Sequence, residues 1–134
     1  MSGGLAVANP SMRKAREVAR AAHLLCEFKL FSGIADRAYF AMFHAARALL
    51  RELANIELKA RHSPRATHSL FALHIVKEGR FDVGLARQLR RAAKARILEA
   101  RENATVSNME TLRLLKVMDK FLLASEALLA EPRP

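Results

Sequence analysis

Several things are scarce in this chain of 134 residues, and each scarcity removes a class of protein. Cys26 is the only cysteine, so no disulfide can close within one chain. Its place in an apolar helical pattern marks it as a buried, inert thiol, and a reducing cytoplasm suits it. Tryptophan is absent and tyrosine occurs once, at Tyr39. No apolar run approaches the roughly 20 residues that span a bilayer, so no membrane partner is expected. The five glycines are scattered and form no phosphate-cradling loop. Residues 1–10 lack the basic leader and apolar run of a signal peptide and are expected to be a flexible tail. Acids are also scarce. Thirteen Asp and Glu stand against 23 Lys and Arg, for a formal charge of +10 and a pI near 10.8. Such a balance attracts an acidic partner, whether nucleic acid, nucleotide or acidic protein. A generic solvated arginine surface is the other explanation.

What is abundant is helix-forming. Half of the residues are hydrophobic (51%) and 27% are charged, which is an ordinary globular balance. Alanine, leucine, arginine and glutamate dominate, strand-like alternation is missing, and no repeat appears. The pattern predicts an all-α, antiparallel up-and-down bundle of about five helices over residues 11–130, with a C-terminal tail at 131–134. Ser11 is a candidate N-cap for the first helix, whose apolar side is Val18, Ala21, Ala22, Leu25, Phe28 and Leu30. Ser32-Gly33 breaks it. Ser63-Pro64 opens a third helix that carries Leu70, Leu73, Ile75 and Val76 and stops at Gly79. Asp82 caps a fourth, expected to face inward with Val83, Ala86, Leu89, Ala93, Ile97 and Ala100. Its outward side is Arg87, Arg90, Arg91, Lys94 and Arg101. Ser107 and Glu110 form a capping box for the last helix, which runs through Leu112, Leu115, Leu122 and Leu129.

The second helix organises the rest. Ile34, Ala38, Ala41, Met42, Ala45, Leu49 and Leu53 make a continuous apolar stripe with Tyr39 and Ala46 at its edges. Its alanines allow a close backbone approach, as a central helix requires. Arg37, Phe40, His44, Arg47 and Arg51 share another face, cationic with an aromatic set into it. The five histidines show no i,i+4 pair and no His-Glu-x-x-His motif, so neither a metal nor another cofactor is expected.

The segment Arg37-Ala38-Tyr39-Phe40-Ala41-Met42-Phe43-His44-Ala45-Ala46-Arg47-Ala48-Leu49-Leu50 resembles the Arg-Ala-Tyr-Tyr-Ala-Met-Phe-His-Ala-Ala-Arg-Ala-Leu-Leu signature of small prokaryotic HEPN-domain proteins. Phe40 replaces the second tyrosine. Thr67-His68-Ser69-Leu70-Phe71 with His74-Ile75-Val76-Lys77-Glu78-Gly79, and Leu89-Arg90-Arg91-Ala92 with Arg96, resemble further blocks of the family. The resemblance implies a helical bundle, a homodimer and a nucleotidyltransferase-type partner, as in toxin–antitoxin pairs. It also raises ribonuclease chemistry. Many HEPN proteins cleave RNA without metal, using an Arg, a short spacer and a His on a late helix. There the arginine stabilises the phosphorane and the histidine shuttles protons. Here Arg96 stands at the expected place, but Asn103 ends the spacing, and asparagine exchanges no proton near neutrality. Arg37 and His44 offer an alternative pair, with Phe40 between them as a stacking surface. In the competing structural reading, Arg37 pairs with an acid of the first helix and His44 packs at an interface. The residues expected to touch RNA or a nucleotide are Arg37, Phe40, His44, Arg47, Arg96 and Asn103. The leading expectation is a noncatalytic RNA- or nucleotide-binding module. A metal-independent ribonuclease toxin is one alternative, and a protein-interaction module with a basic surface is the other.

Overall fold

The computed structural model describes residues 9–59, 62–101 and 106–132, and all statements of absence below refer to these. Five α-helices follow one another: α1 (Pro10–Glu27), α2 (Ile34–Ala54), α3 (Pro64–Phe71), α4 (Val83–Glu99) and α5 (Asn108–Ala130). A π-helical turn, Ala72–Val76, extends α3. No strand occurs among the described residues. The architecture is the all-α bundle that the composition predicts.

Helix α2 is the axis. It contacts each of the other four helices. Ala35, Ala38, Ala41, Ala45, Ala46 and Ala48 are fully buried, together with Ile34, Met42, Leu49 and Leu50. Buried surface therefore extends well beyond the expected stripe, to Tyr39 and Phe43 as well. Small side chains let four neighbours close around one backbone at interior packing density.

Local signals set most of the helix ends. The Ser63 and Ser107 hydroxyls accept the N–H groups of Ala66 and Glu110, both at 3.1 Å, and Asp82 Oδ1 accepts Leu85 N–H at 2.6 Å. Gly79 ends the third helical stretch at φ +77°. Two expectations need correction. The cap of α1 is Asn9 and not Ser11, so the bundle begins just before residue 11. Asn9 Oδ1 accepts Met12 N–H at 2.9 Å, and Pro10 takes the first helical position, where a missing N–H costs nothing. Asn9 Nδ2 also donates to Glu52 Oε1 at 2.8 Å, fastening the start of α1 to the end of α2. The Ser107–Glu110 capping box is half made. The Glu110 carboxylate turns away from the Ser107 amide and takes Arg91 and Arg113 instead.

Burial departs from the sequence pattern in two helices. In α1 the core residues are Met12, Ala15, Ala19 and Ala22, with Val18, Leu25 and the free thiol of Cys26 partly buried. Phe28 and Leu30 lie past the helix end and are exposed, because Lys29 at φ +57° already turns the chain. In α4 the buried residues are Leu89, Ala92 and Ala95. Val83 and Ile97 are each 51% exposed, and Ala100 is exposed. The helix presents its 89–92–95 edge to the core, which leaves most of the expected inward stripe facing a groove beside α3. Leu73 and Leu112 are likewise largely exposed.

Candidate functional site

Arg96, on the last turn of α4, is the most heavily engaged cation of the site. Its Nε donates to Asp36 Oδ1 at 2.8 Å, and its guanidinium lies 4.7 Å from the centre of the Phe40 ring and 5.7 Å from that of Tyr39. A flat guanidinium set against aromatic rings and hydrogen-bonded to a carboxylate is held in place from both sides. The same two elements meet again nearby, where Gly33 N–H donates to Glu99 Oε1 at 2.8 Å. Gly33 is needed there. Its φ is +92°, and a Cβ would approach Arg37 Nη1 to 2.9 Å.

Beside Arg96 a cleft of about 580 Å³ opens between α3 and α4. The Ser63-Pro64 cap starts α3 so that Arg65 and His68 reach this cleft, while α4 brings Arg90, Lys94 and Arg96. No carboxylate lines it. Its polar floor is the Tyr39 hydroxyl, 3.0 Å from His68 Nε2. Burial pushes the Tyr39 phenol up to about 12, with Arg96 only partly opposing the rise. The phenol therefore keeps its proton. His68 is its only hydrogen-bond partner among the described residues, so the O–H donates to Nε2 and the ring proton sits on Nδ1. Burial, and then the charge of Arg90, lowers the His68 pKa below 6.5, so the imidazole is neutral near neutral pH. The cleft thus offers a row of cations and one neutral imidazole, a set that recognises phosphate.

The residues expected from sequence fall in different places. Arg37, Phe40 and His44 share a shallower hollow of about 390 Å³ between α1 and α2, with Lys14 and Asp36. Arg37 does not pair with an acid of α1. Its Nη1 donates to its own helix start, the Gly33 carbonyl, at 3.3 Å. Burial, then Arg47 and Lys14, lowers the His44 pKa. Arg47 is turned inward, with Nη2 donating to the Leu58 carbonyl at 2.8 Å, so it fastens the segment after α2. Arg51 pairs with Glu57 at 3.5 Å. Arg91, expected in the outward cationic group, is held by Glu110. Asn103 lies outside the described residues. Phe40 and Arg96 are thus brought together, and they join the two hollows.

Sequence reasoning missed the Tyr39–His68 pair and the gathering of Arg65, Arg90 and Lys94 around it. One signal was available, because α4 contains no acid before Glu99. Cations on such a helix have no local partner. Among the described residues no cluster of three or more His, Cys, Asp or Glu is placed to hold a metal ion.

Against known families, the HEPN domain model matches residues 8–128. The chain belongs to the HEPN family. A UPF0332 protein of Gloeobacter violaceus is 33% identical over 120 residues, which cover 83% of this chain and 92% of that protein. In this HEPN bundle the described portion of α4 ends its contribution at Arg96 and Glu99, and the five histidines all precede residue 75. No described helix is long and apolar enough to cross a membrane.

Proposed function

We propose that this HEPN protein is a binding module for RNA or nucleotides, with little or no catalysis of its own. It works as a homodimer with a nucleotidyltransferase-type partner in a toxin–antitoxin-like system. The observation that carries the binding role is the acid-free cleft where Arg65, Arg90, Lys94 and Arg96 surround the Tyr39–His68 pair. Arg96 is already paired with Asp36, but Arg65, Arg90 and Lys94 form no ion pair among the described residues, and phosphates supply the missing charge. Phe40, stacked under Arg96, carries the cationic path on towards Arg37, His44 and Lys14. The noncatalytic half rests on the sequence. No histidine follows His74, and Asn103 ends the spacing from Arg96.

A specific observation keeps a second reading, metal-independent ribonuclease. His68 is neutral near pH 7 and stands among arginines, and its Nε2 serves as a general base where a substrate hydroxyl takes the place of the Tyr39 O–H. One experiment separates the two. A labelled mixed-sequence single-stranded RNA is incubated with the protein in chelator, alongside His44→Ala, His68→Ala and Arg96→Ala. The binding reading expects intact RNA, bound by the parent and about tenfold more weakly by Arg96→Ala. Cutting that disappears in His68→Ala or His44→Ala establishes the nuclease. Binding that tolerates every substitution leaves only a diffuse basic surface. Light scattering tests the dimer. Size-exclusion chromatography with a nucleotidyltransferase-type protein from the same organism tests the partnership.

A further inference from the structure

Two ties join the start of α2 to the last turn of α4, and their partners are crossed. Asp36 is the third residue of α2, the position from which an acid ordinarily reaches back to the cap N–H of its own helix. Here that N–H belongs to Gly33, and Glu99 Oε1 takes it at 2.8 Å. Asp36 is left to cross to α4 instead, where Arg96 Nε donates to its Oδ1 at 2.8 Å. The pair stands on the ridge between two hollows, since Arg96 lines the cationic cleft and Asp36 lines the hollow between α1 and α2. Its side chains are 38% and 45% exposed, and an ion pair so open to water exchanges partners readily. Of the cations lining the cleft, Arg96 alone is ion-paired among the described residues.

We infer that Asp36 is an internal competitor for the anion that the cleft binds, occupying in the free protein an edge of Arg96 that a phosphate takes over. The inference rests on the binding role proposed above and adds a control to it. A phosphate grips an arginine best through two adjacent nitrogens. Asp36 holds Nε, while neither Nη has a hydrogen-bond partner among the described residues. An arriving phosphate therefore meets the Nη side first, and it completes its fork only when Asp36 lets go of Nε. Both sides are prepared for the exchange. Phe40, 4.7 Å from the guanidinium, keeps Arg96 in place without the carboxylate. The first turn of α2 is the positive end of the helix dipole, and Lys14 and Arg37 line the hollow beside Asp36, so a released carboxylate keeps favourable surroundings. Asp36 thus sets how strongly an anion must compete before Arg96 joins the other three cations.

The test is an anisotropy titration of a labelled mixed-sequence single-stranded RNA with the parent, Asp36→Asn, Asp36→Ala, Arg96→Ala and the double variant Asp36→Asn/Arg96→Ala. Asparagine keeps the shape and an acceptor oxygen but not the charge. Asp36→Asn is expected to bind about two- to fivefold more tightly than the parent. Asp36→Ala, which removes the acceptor as well, is expected to gain similarly because Phe40 still holds the guanidinium. Neutralising an acid also raises the net charge, and the double variant separates that effect. It is expected to bind only as tightly as Arg96→Ala, because the gain comes through Arg96. A gain that persists in the double variant is a net-charge effect and overturns the inference. Equal or weaker binding by both Asp36 variants, with melting transitions like the parent's, makes Asp36 a positioning residue for Arg96. That result also overturns the inference and leaves the binding role standing. RNA bound by the Asp36 variants and not by the parent supports it in its strongest form. If none of the proteins binds RNA, the binding role falls and the inference with it.

Discussion

At the scale of single residues, the charged groups divide into those already satisfied and those left over. Glu110 belongs to the first class. Arg113 and Arg91 each approach it with two nitrogens, at 2.8 to 3.1 Å, and Arg113 also reaches Gln88 Oε1 at 2.7 Å. The Arg113 hydrogen bonds, followed by those from Arg91, hold the Glu110 carboxyl down at about 2 against its ordinary 4.5. A depressed carboxylate stabilises the fold fully above its unfolded value. That contribution is therefore lost as pH falls from about 4.5 towards 2. Glu110→Gln is expected to lower the melting temperature at pH 7 and to flatten the acid limb of a pH–Tm profile in that window. His44 and His68 act at milder pH and with the same sign. Their folded values lie below 6.5, so the folded state resists protonation, and stability present above pH 6.5 falls as acid charges them in the unfolded chain. His68→Gln and His44→Gln are each expected to reduce the loss of Tm between pH 7 and pH 5. Little of this was legible beforehand. That Arg96 and Phe40 are special was readable, because Arg96 stands where the resembled family has its arginine and Phe40 is the aromatic set into the cationic face of α2. That Arg96 takes Asp36, 60 positions away, was not, because such a partner is set by packing and leaves no local trace.

At the scale of elements, what depends on neighbours in sequence was readable and what depends on neighbours in space was not. Ser63, Asp82, Ser107 and Gly79 do what their residue types suggest, since a cap is completed within a few residues. The rotation of α4 escaped detection. Leu89, Ala92 and Ala95 form one apolar edge, Val83, Ala86, Ala93 and Ile97 another, and sequence alone does not rank them. The π turn after Phe71 also has no sequence mark. Two predictions belong here. Asn9→Ala removes both the α1 cap and the contact to Glu52, and is expected to cost about 1 kcal/mol or somewhat more in denaturant unfolding. Ala45→Leu forces bulk between α2 and its neighbours at a fully buried site, and is expected to cost about 1–3 kcal/mol by the same measurement.

At the scale of the whole molecule, the formal charge of +10 favours polyanions, and in the proposed binding role the cleft gives that attraction an address. The two contributions separate in salt. Each phosphate contact released by substitution lowers the slope of log affinity against log salt by about one. Arg65→Ala and Lys94→Ala are therefore each expected to reduce that slope by about one for a single-stranded RNA. Arg80→Ala, which lines neither hollow, is expected to leave it nearly unchanged. The fold class was readable from composition and periodicity alone, because a surplus of helix formers without strand alternation permits little else. The groove was not, because it is made by two helices whose mutual orientation no single segment encodes.

The position of α2 has a consequence in time. A helix wrapped by all four others has no face from which it can peel away. Its interior amides around Ala41 to Leu49 reach water only when the bundle as a whole comes apart, so they keep their protium longest. In deuterium uptake followed by mass spectrometry, peptides from the middle of α2 are expected to exchange at the rate of global opening. The half-exposed α4 is expected to exchange earlier. The slowest clock in the molecule thus runs directly beneath Tyr39 and Phe40, and the ring that donates to His68 stands on its least yielding backbone.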